Sequence, residues 1–282
     1  MRSGESAMAA GPGRDPALVL VAHGASHNPT AGTSLRRLAE ALRRRCADTT
    51  VAVAYVHGEP TLPAVLDSLG TEDAVCVVPM FAAEGHHTRE VVRPALDAAR
   101  RKRPLRRLMQ APALGTSPAY TASLARRLLA LVSAAGIDPR GAAMLAIGHG
   151  RRGLSSPPDD AARRLAEALH PAFATSLALY LDGEPAAASW ATRVAETDVV
   201  VAPVFFSDAQ HASVDVPAIF GGPARSPGGA DGIEGPWICA GRRIWSVALP
   251  PASGCVADIV VGLAQGAAAP PTGPSSAFGR RA

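Results

Sequence analysis

The chain has 282 residues, 48% of them hydrophobic and 18% charged, with a formal net charge of +4 and a mean hydropathy of +0.12, which is enough apolar material for a packed core and excludes a disordered, solvating chain. No apolar run approaches the roughly 18 residues that cross a bilayer, and the first 15 residues lack the apolar stretch of a secretory signal, so a cytoplasmic globular protein with no membrane partner is expected. The pI near 9.2 suits an acidic partner, but aromatics are only 4% and no RNP, zinc-finger or helix-turn-helix signature is present, which argues against nucleic acid.

In chain order, strands are expected near 18–22, 51–56, 74–80 and 105–111, with helices near 32–45, 61–69, 88–101 and 117–133. Strands follow again near 143–148, 174–181, 199–205 and 243–248. The strands are short continuous apolar runs, the pattern of a parallel sheet covered on both faces by helices. Four scattered cysteines without a CxxC (Cys46, Cys76, Cys239, Cys255) suggest neither a disulfide framework nor a thiolate zinc site.

The second series copies the first. LVLVAHGASHNPTAGTSLRRLAEAL from Leu18 aligns with MLAIGHGRRGLSSPPDDAARRLAEAL from Met144, YVHGEP from Tyr55 with YLDGEP from Tyr180, and VVPMFAAEGHH ending at His87 with VAPVFFSDAQH ending at His211. The offset drifts only from 126 to 124. The expected fold class is therefore α/β, two tandem copies of a parallel-sheet βα domain with a cleft between them. The expected segments are a disordered leader 1–15, an N-terminal domain 16–138, a C-terminal domain 139–265 with a Gly/Pro-rich insertion near 221–236, and a disordered tail 266–282.

Among eight histidines, His23, His87, His149 and His211 recur at matched positions. Each follows a strand, where an open parallel sheet places its ligand crevice. Two imidazoles and a neighbouring carboxylate in such a crevice are a ligand set for a divalent transition metal. Matched carboxylates are Glu59 with Glu184 and Glu84 with Asp208. His27, His57, His86 and His170 have no histidine partner in the other copy and are read as ordinary surface or structural residues.

The VAHGAS end of the first strand, VVPMFAAEGHHTRE after the third, and its counterpart VVVAPVFFSDAQHASVDVP together resemble the sirohydrochlorin chelatases, the CbiX/SirB-type class II tetrapyrrole chelatases. The resemblance runs from about Pro16 to Gly262 and is to the long form that carries two domains in one polypeptide. It implies insertion of Co2+ or Fe2+ into sirohydrochlorin, in cobalamin or siroheme synthesis, with no permanently bound cofactor. By the same resemblance His23, His87, His149 and His211 are metal ligands, and His23, His87 and Glu59 are the catalytic residues. Sirohydrochlorin carries eight carboxylates, so Arg89, Arg93, Arg151 and Arg152 are its expected anchors. A monomer with pseudo-twofold domains is implied. The first copy is preferred as the active one, because Glu59, Glu84 and the paired His86 and His87 offer more ligands.

Two other readings compete. A histidine-phosphatase nucleophile would need an arginine before the His-Gly histidine, where this chain has Ala22 and Gly148. A non-catalytic carrier of metal or tetrapyrrole would keep the same residues without turnover.

Overall fold

In a computed structural model the described residues are 16–24, 32–69, 72–155, 160–206, 211–224, 232–249 and 254–269, with the backbone alone described at 151–155 and 254. The first half runs β1 (Ala17–Ala22), α1 (Thr33–Arg45), β2 (Val51–Tyr55), α2 (Leu62–Ser68) and β3 (Ala74–Pro79). A π-helical turn, His87–Val92, then leads into α3 (Arg93–Lys102), β4 (Arg107–Gln110) and α4 (Pro118–Ala134). The second half runs β5 (Ala142–Ser155), α5 (Ala161–Leu169), β6 (Thr175–Glu184), a 3-10 segment Ala187–Thr192 and β7 (Asp198–Pro203). A second π-helical turn, His211–Asp215, precedes α6 (Val216–Ile219), β8 (Gly232–Cys239), β9 (Arg242–Ala248) and α7 (Gly254–Ala268).

Two sheets result, in the orders β2-β1-β3-β4 and β6-β5-β7-β9-β8. All pairs are parallel except β8 with β9. The second sheet repeats the order of the first with one added edge strand. The central strands explain why their sequences are apolar at every position. In β1, Leu18, Leu20 and Ala22 face a layer of helices between the sheets, while Ala17, Val19 and Val21 face α2 and α3 on the outside. In β5, Ala142, Met144 and Ala146 face the same middle layer, and Ala143, Leu145 and Ile147 the opposite outer face.

The middle layer holds α1, α4, α5 and α7, and the two halves exchange their last helices across it. Helix α4 packs against α5 and β8 of the second half, whereas α7 packs against β3, β4 and α1 of the first. An Arg45–Asp258 ion pair and a hydrogen bond from Arg107 to the Ala268 carbonyl (3.1 Å) tie α7 to the first half. The loop after β3 meets the start of α5 directly, with Ala161 N donating to the Ala82 carbonyl at 3.0 Å.

Several expectations change. The 221–236 insertion contributes β8, which adds an antiparallel edge to a sheet expected to be wholly parallel; residues 225–231 lie outside the described residues. Helix α7 continues to Ala268, past the expected start of the tail, because its apolar face still covers the first sheet. The leader 1–15 and residues 270–282 lie outside the described residues. The fourth strand starts at Arg107 rather than 105, since Leu105 stands 99% exposed and Arg106 turns inward. The Arg106 guanidinium donates to the carbonyls of Leu66 (2.9 Å) and Leu69 at the end of α2 and of Glu72 (2.9 Å) before β3. This basic run thus satisfies orphaned helix carbonyls. Among the described residues no helix is long and apolar enough to cross a membrane.

Candidate metal centre

Three adjacent strands of the first sheet deliver one histidine each. His23 follows β1 directly, His57 lies two residues beyond β2, and His87 opens the π-helical turn after β3. Because β1 lies between β2 and β3, the three side chains converge at the carboxyl mouth of the sheet. Their ligand atoms all lie within 4.8 Å of one another. Ring centres are 4.8 Å apart for His23 and His57, 5.0 Å for His23 and His87, and 6.4 Å for His57 and His87.

The backbone enforces this approach. The β1–β2 ladder continues past both strands, with Val56 N donating to Ala22 O (2.9 Å) and His57 N to His23 O (2.8 Å). Gly24 follows at φ +76°, and a side chain there would collide with the His57 carbonyl and Tyr55 Cβ. The second residue of the His-Gly motif is therefore glycine for both conformation and space. Gly150, at φ +77°, is in the same situation, since a side chain there would come within 2.5 Å of Asp182 O and 2.7 Å of Tyr180 Cβ. On the β3 side, the buried Thr88 hydroxyl donates to Gly85 O (2.9 Å) and accepts from Gly85 N (3.0 Å), fixing the turn that carries His87. Phe81 backs the His87 ring at 5.3 Å.

Burial lowers the pKa of His23 below its ordinary 6.5, and like-charge repulsion from His57 and then His149 lowers it further. His87 is lowered chiefly by burial, then by His23, His86 and His57. Both rings therefore favour the neutral, metal-binding form near pH 7. His149 of the second half thus lies within electrostatic reach of His23.

That second mouth is built on the same plan with different groups. His149 and His211 have ring centres 4.8 Å apart, and Phe205 lies 6.1 Å from His211. Asp182 occupies the position matched by His57, and the His211 Nδ1 is paired with Asp215 Oδ2 at 2.6 Å. His149 lies within β5, which extends through it to Ser155, rather than after the strand. Among the described residues no third donor completes a three-ligand group with His149 and His211.

The structure places the expected carboxylates away from the histidine cluster. Glu59 is exposed and outside the cluster, its Oε2 accepting from Thr61 N (3.0 Å) at the entry to α2, and Glu184 does the same with Ala186 N (3.1 Å). Glu84 is likewise committed, Oε1 accepting from Ala113 N at 2.6 Å. The third group at the site is His57, read from sequence as an ordinary residue. The signal was the YVHGEP–YLDGEP alignment, where position 57 faces position 182 as histidine against aspartate, two metal-ligating types. Arg89 and Arg93 are exposed on the helix that His87 begins. The side chains of Arg151 and Arg152, and all of His27 and Asp208, lie outside the described residues.

Residues 17–131 match the CbiX family model, a span that contains β1 to β4 and all three clustered histidines. No curated protein matches the chain. Among solved structures, CbiX, described as the terminal enzyme for biosynthesis of siroheme in denitrifying bacteria, superposes with a TM-score of 0.63 at 23% identity, over 89% of this chain and 99% of that one. A Deinococcus radiodurans multi-domain protein described as structurally similar to chelatases, with two additional novel domains, gives 0.60 at 22% identity. There the alignment covers 89% of this chain and 55% of the other, so this chain spans about half of that protein. SirB from Bacillus subtilis with Fe3+ gives 0.56 at 15% identity, over 68% and 77%. The resemblance to the sirohydrochlorin chelatases thus holds as a family match in the first half and as a shared fold over most of the chain.

Proposed function

We propose that this chain, whose first half matches the CbiX family, inserts Co2+ or Fe2+ into a sirohydrochlorin-type tetrapyrrole. The activity is that of a sirohydrochlorin cobalto- or ferrochelatase serving cobalamin or siroheme synthesis in the cytoplasm. Metal and macrocycle are both substrates, no cofactor is resident, and the chain works as a monomer. The observation that carries this reading is the convergence of His23, His57 and His87 within 4.8 Å at three adjacent strand ends.

Three neutral imidazoles can hold a divalent ion while leaving part of its coordination shell to water. Pyrrole nitrogens can then displace that water before the protein releases the ion. As two nitrogen–metal bonds form, two pyrrole protons must leave. We assign their acceptance to the facing pair, His149 and His211. The contact of its Nδ1 with Asp215 orients the His211 ring and leaves Nε2 to take a proton. Arg89 and Arg93, with Arg151 and Arg152, would bind the macrocycle's carboxylates as planar two-pronged donors.

Mixing the purified protein with sirohydrochlorin and Co2+ or Fe2+ tests this, because metallation changes the visible spectrum. Insertion faster than the uncatalysed rate is the expected result. Binding of metal and macrocycle without acceleration would instead identify a carrier.

A further inference from the structure

Among the described residues, His86 is the one histidine of the first mouth that stands outside the three-donor group. It is exposed, and its ring lies 5.5 Å from that of His87, nearly perpendicular to it at 76°. His87 in turn lies 5.0 Å from His23. Two imidazoles that share one tetrahedral ion at metal–nitrogen distances of about 2.0 Å hold their ring centres about 5 Å apart. The His86–His87 and His87–His23 spacings lie near that value, so two ion positions in succession are available, His86 with His87 and then His87 with His23, which His57 joins from its place 4.8 Å from His23. The turn that carries both residues is fixed by the Thr88–Gly85 hydrogen bonds and by Arg89 N donating to Gly85 O at 3.0 Å. The second half has glutamine, Gln210, before its histidine.

We infer that His86 and His87 form an outer staging site for the incoming metal ion, which then passes to His23, His57 and His87 with His87 as the ligand common to both. The inference rests on the three-histidine reading of the inner site. An aqueous divalent ion must exchange a water for each imidazole it gains. A first capture at the exposed pair lets these exchanges occur one at a time, His87 keeping hold while His86 is replaced by His23 and His57. A staging site lies on the path in both directions, so it speeds entry and exit alike and leaves the equilibrium affinity of the inner site unchanged.

The test is stopped-flow binding of Co2+ alone to the full chain, followed by visible absorption, with dissociation measured by mixing the loaded protein with a chelator. In His86→Gln, which installs the second half's residue at an exposed position, association and dissociation rates should both fall about tenfold, equivalent to ~1.4 kcal/mol on each barrier. The final spectrum, stoichiometry and Kd should match the wild type. Unchanged rates would overturn the staging site. A weaker Kd with an altered spectrum would also overturn it, since His86 would then be a permanent ligand. His87→Ala should instead lose affinity outright. Absence of Co2+ binding by the wild type would overturn the inner site, and the staging site with it.

Discussion

The two mouths of the cleft share a strand order, a His-Gly turn, a backing phenylalanine and a close histidine pair, yet they differ in two side chains that decide their chemistry. Position 57 is histidine where its counterpart 182 is aspartate, and His211 is paired with Asp215 while none of His23, His57 and His87 has a carboxylate partner among the described residues. One mouth is three imidazole donors with depressed basicity at two of them, His23 and His87. The other is an imidazole pair in which one ring is held by a carboxylate. The proposed division of metal holding and proton acceptance between the two copies rests on these side chains.

That division is most exposed to failure at the histidines themselves. His23→Ala or His87→Ala should reduce metal insertion on the order of 100-fold or more, beyond what loss of an outer partner of a metal ligand produces. His149→Ala or His211→Ala should reduce it less, and equal or reversed losses in the spectroscopic assay would move the metal site. The next effect is at position 57. His57→Ala should weaken Co2+ binding by about 10- to 100-fold, measured by titration without tetrapyrrole. Conversely, Asp182→His should give the second mouth a third imidazole and raise the Co2+ stoichiometry from one to two; a stoichiometry that stays at one would show that the two mouths differ by more than this residue.

The smallest effect is on stability. His23 and His87 titrate below 6.5 when folded, so the unfolded chain binds more protons as pH falls through that region. Stability should be fully present above pH 6.5 and decline below it. Thermal unfolding of the metal-free protein between pH 7.5 and 5.5 should show the decline, and His23→Gln/His87→Gln should flatten it.

Much of this architecture was legible in the residues. Short strands apolar at every position can only be buried on both faces, and their recurrence exposed the two sheets and the four matched histidines. The exchange of α4 and α7 was not legible, because amphipathic periodicity places a helix against some sheet without saying which. Strand β8 was hidden by the glycines and prolines around it. His57 was missed because a comparison for identical residues passes over a histidine matched by an aspartate. The position of Glu59 was not legible either: its carboxylate accepts from a backbone amide two residues on, a local bond of a kind that sequence spacing does not reveal.

The central claim, that the first mouth holds the metal, is tested most directly by a Co2+ titration of the full chain without tetrapyrrole, comparing wild type, His23→Ala and His149→Ala by visible absorption. The prediction is one tightly bound ion in the wild type and in His149→Ala, and its loss in His23→Ala. Retention in His23→Ala with loss in His149→Ala would contradict the account.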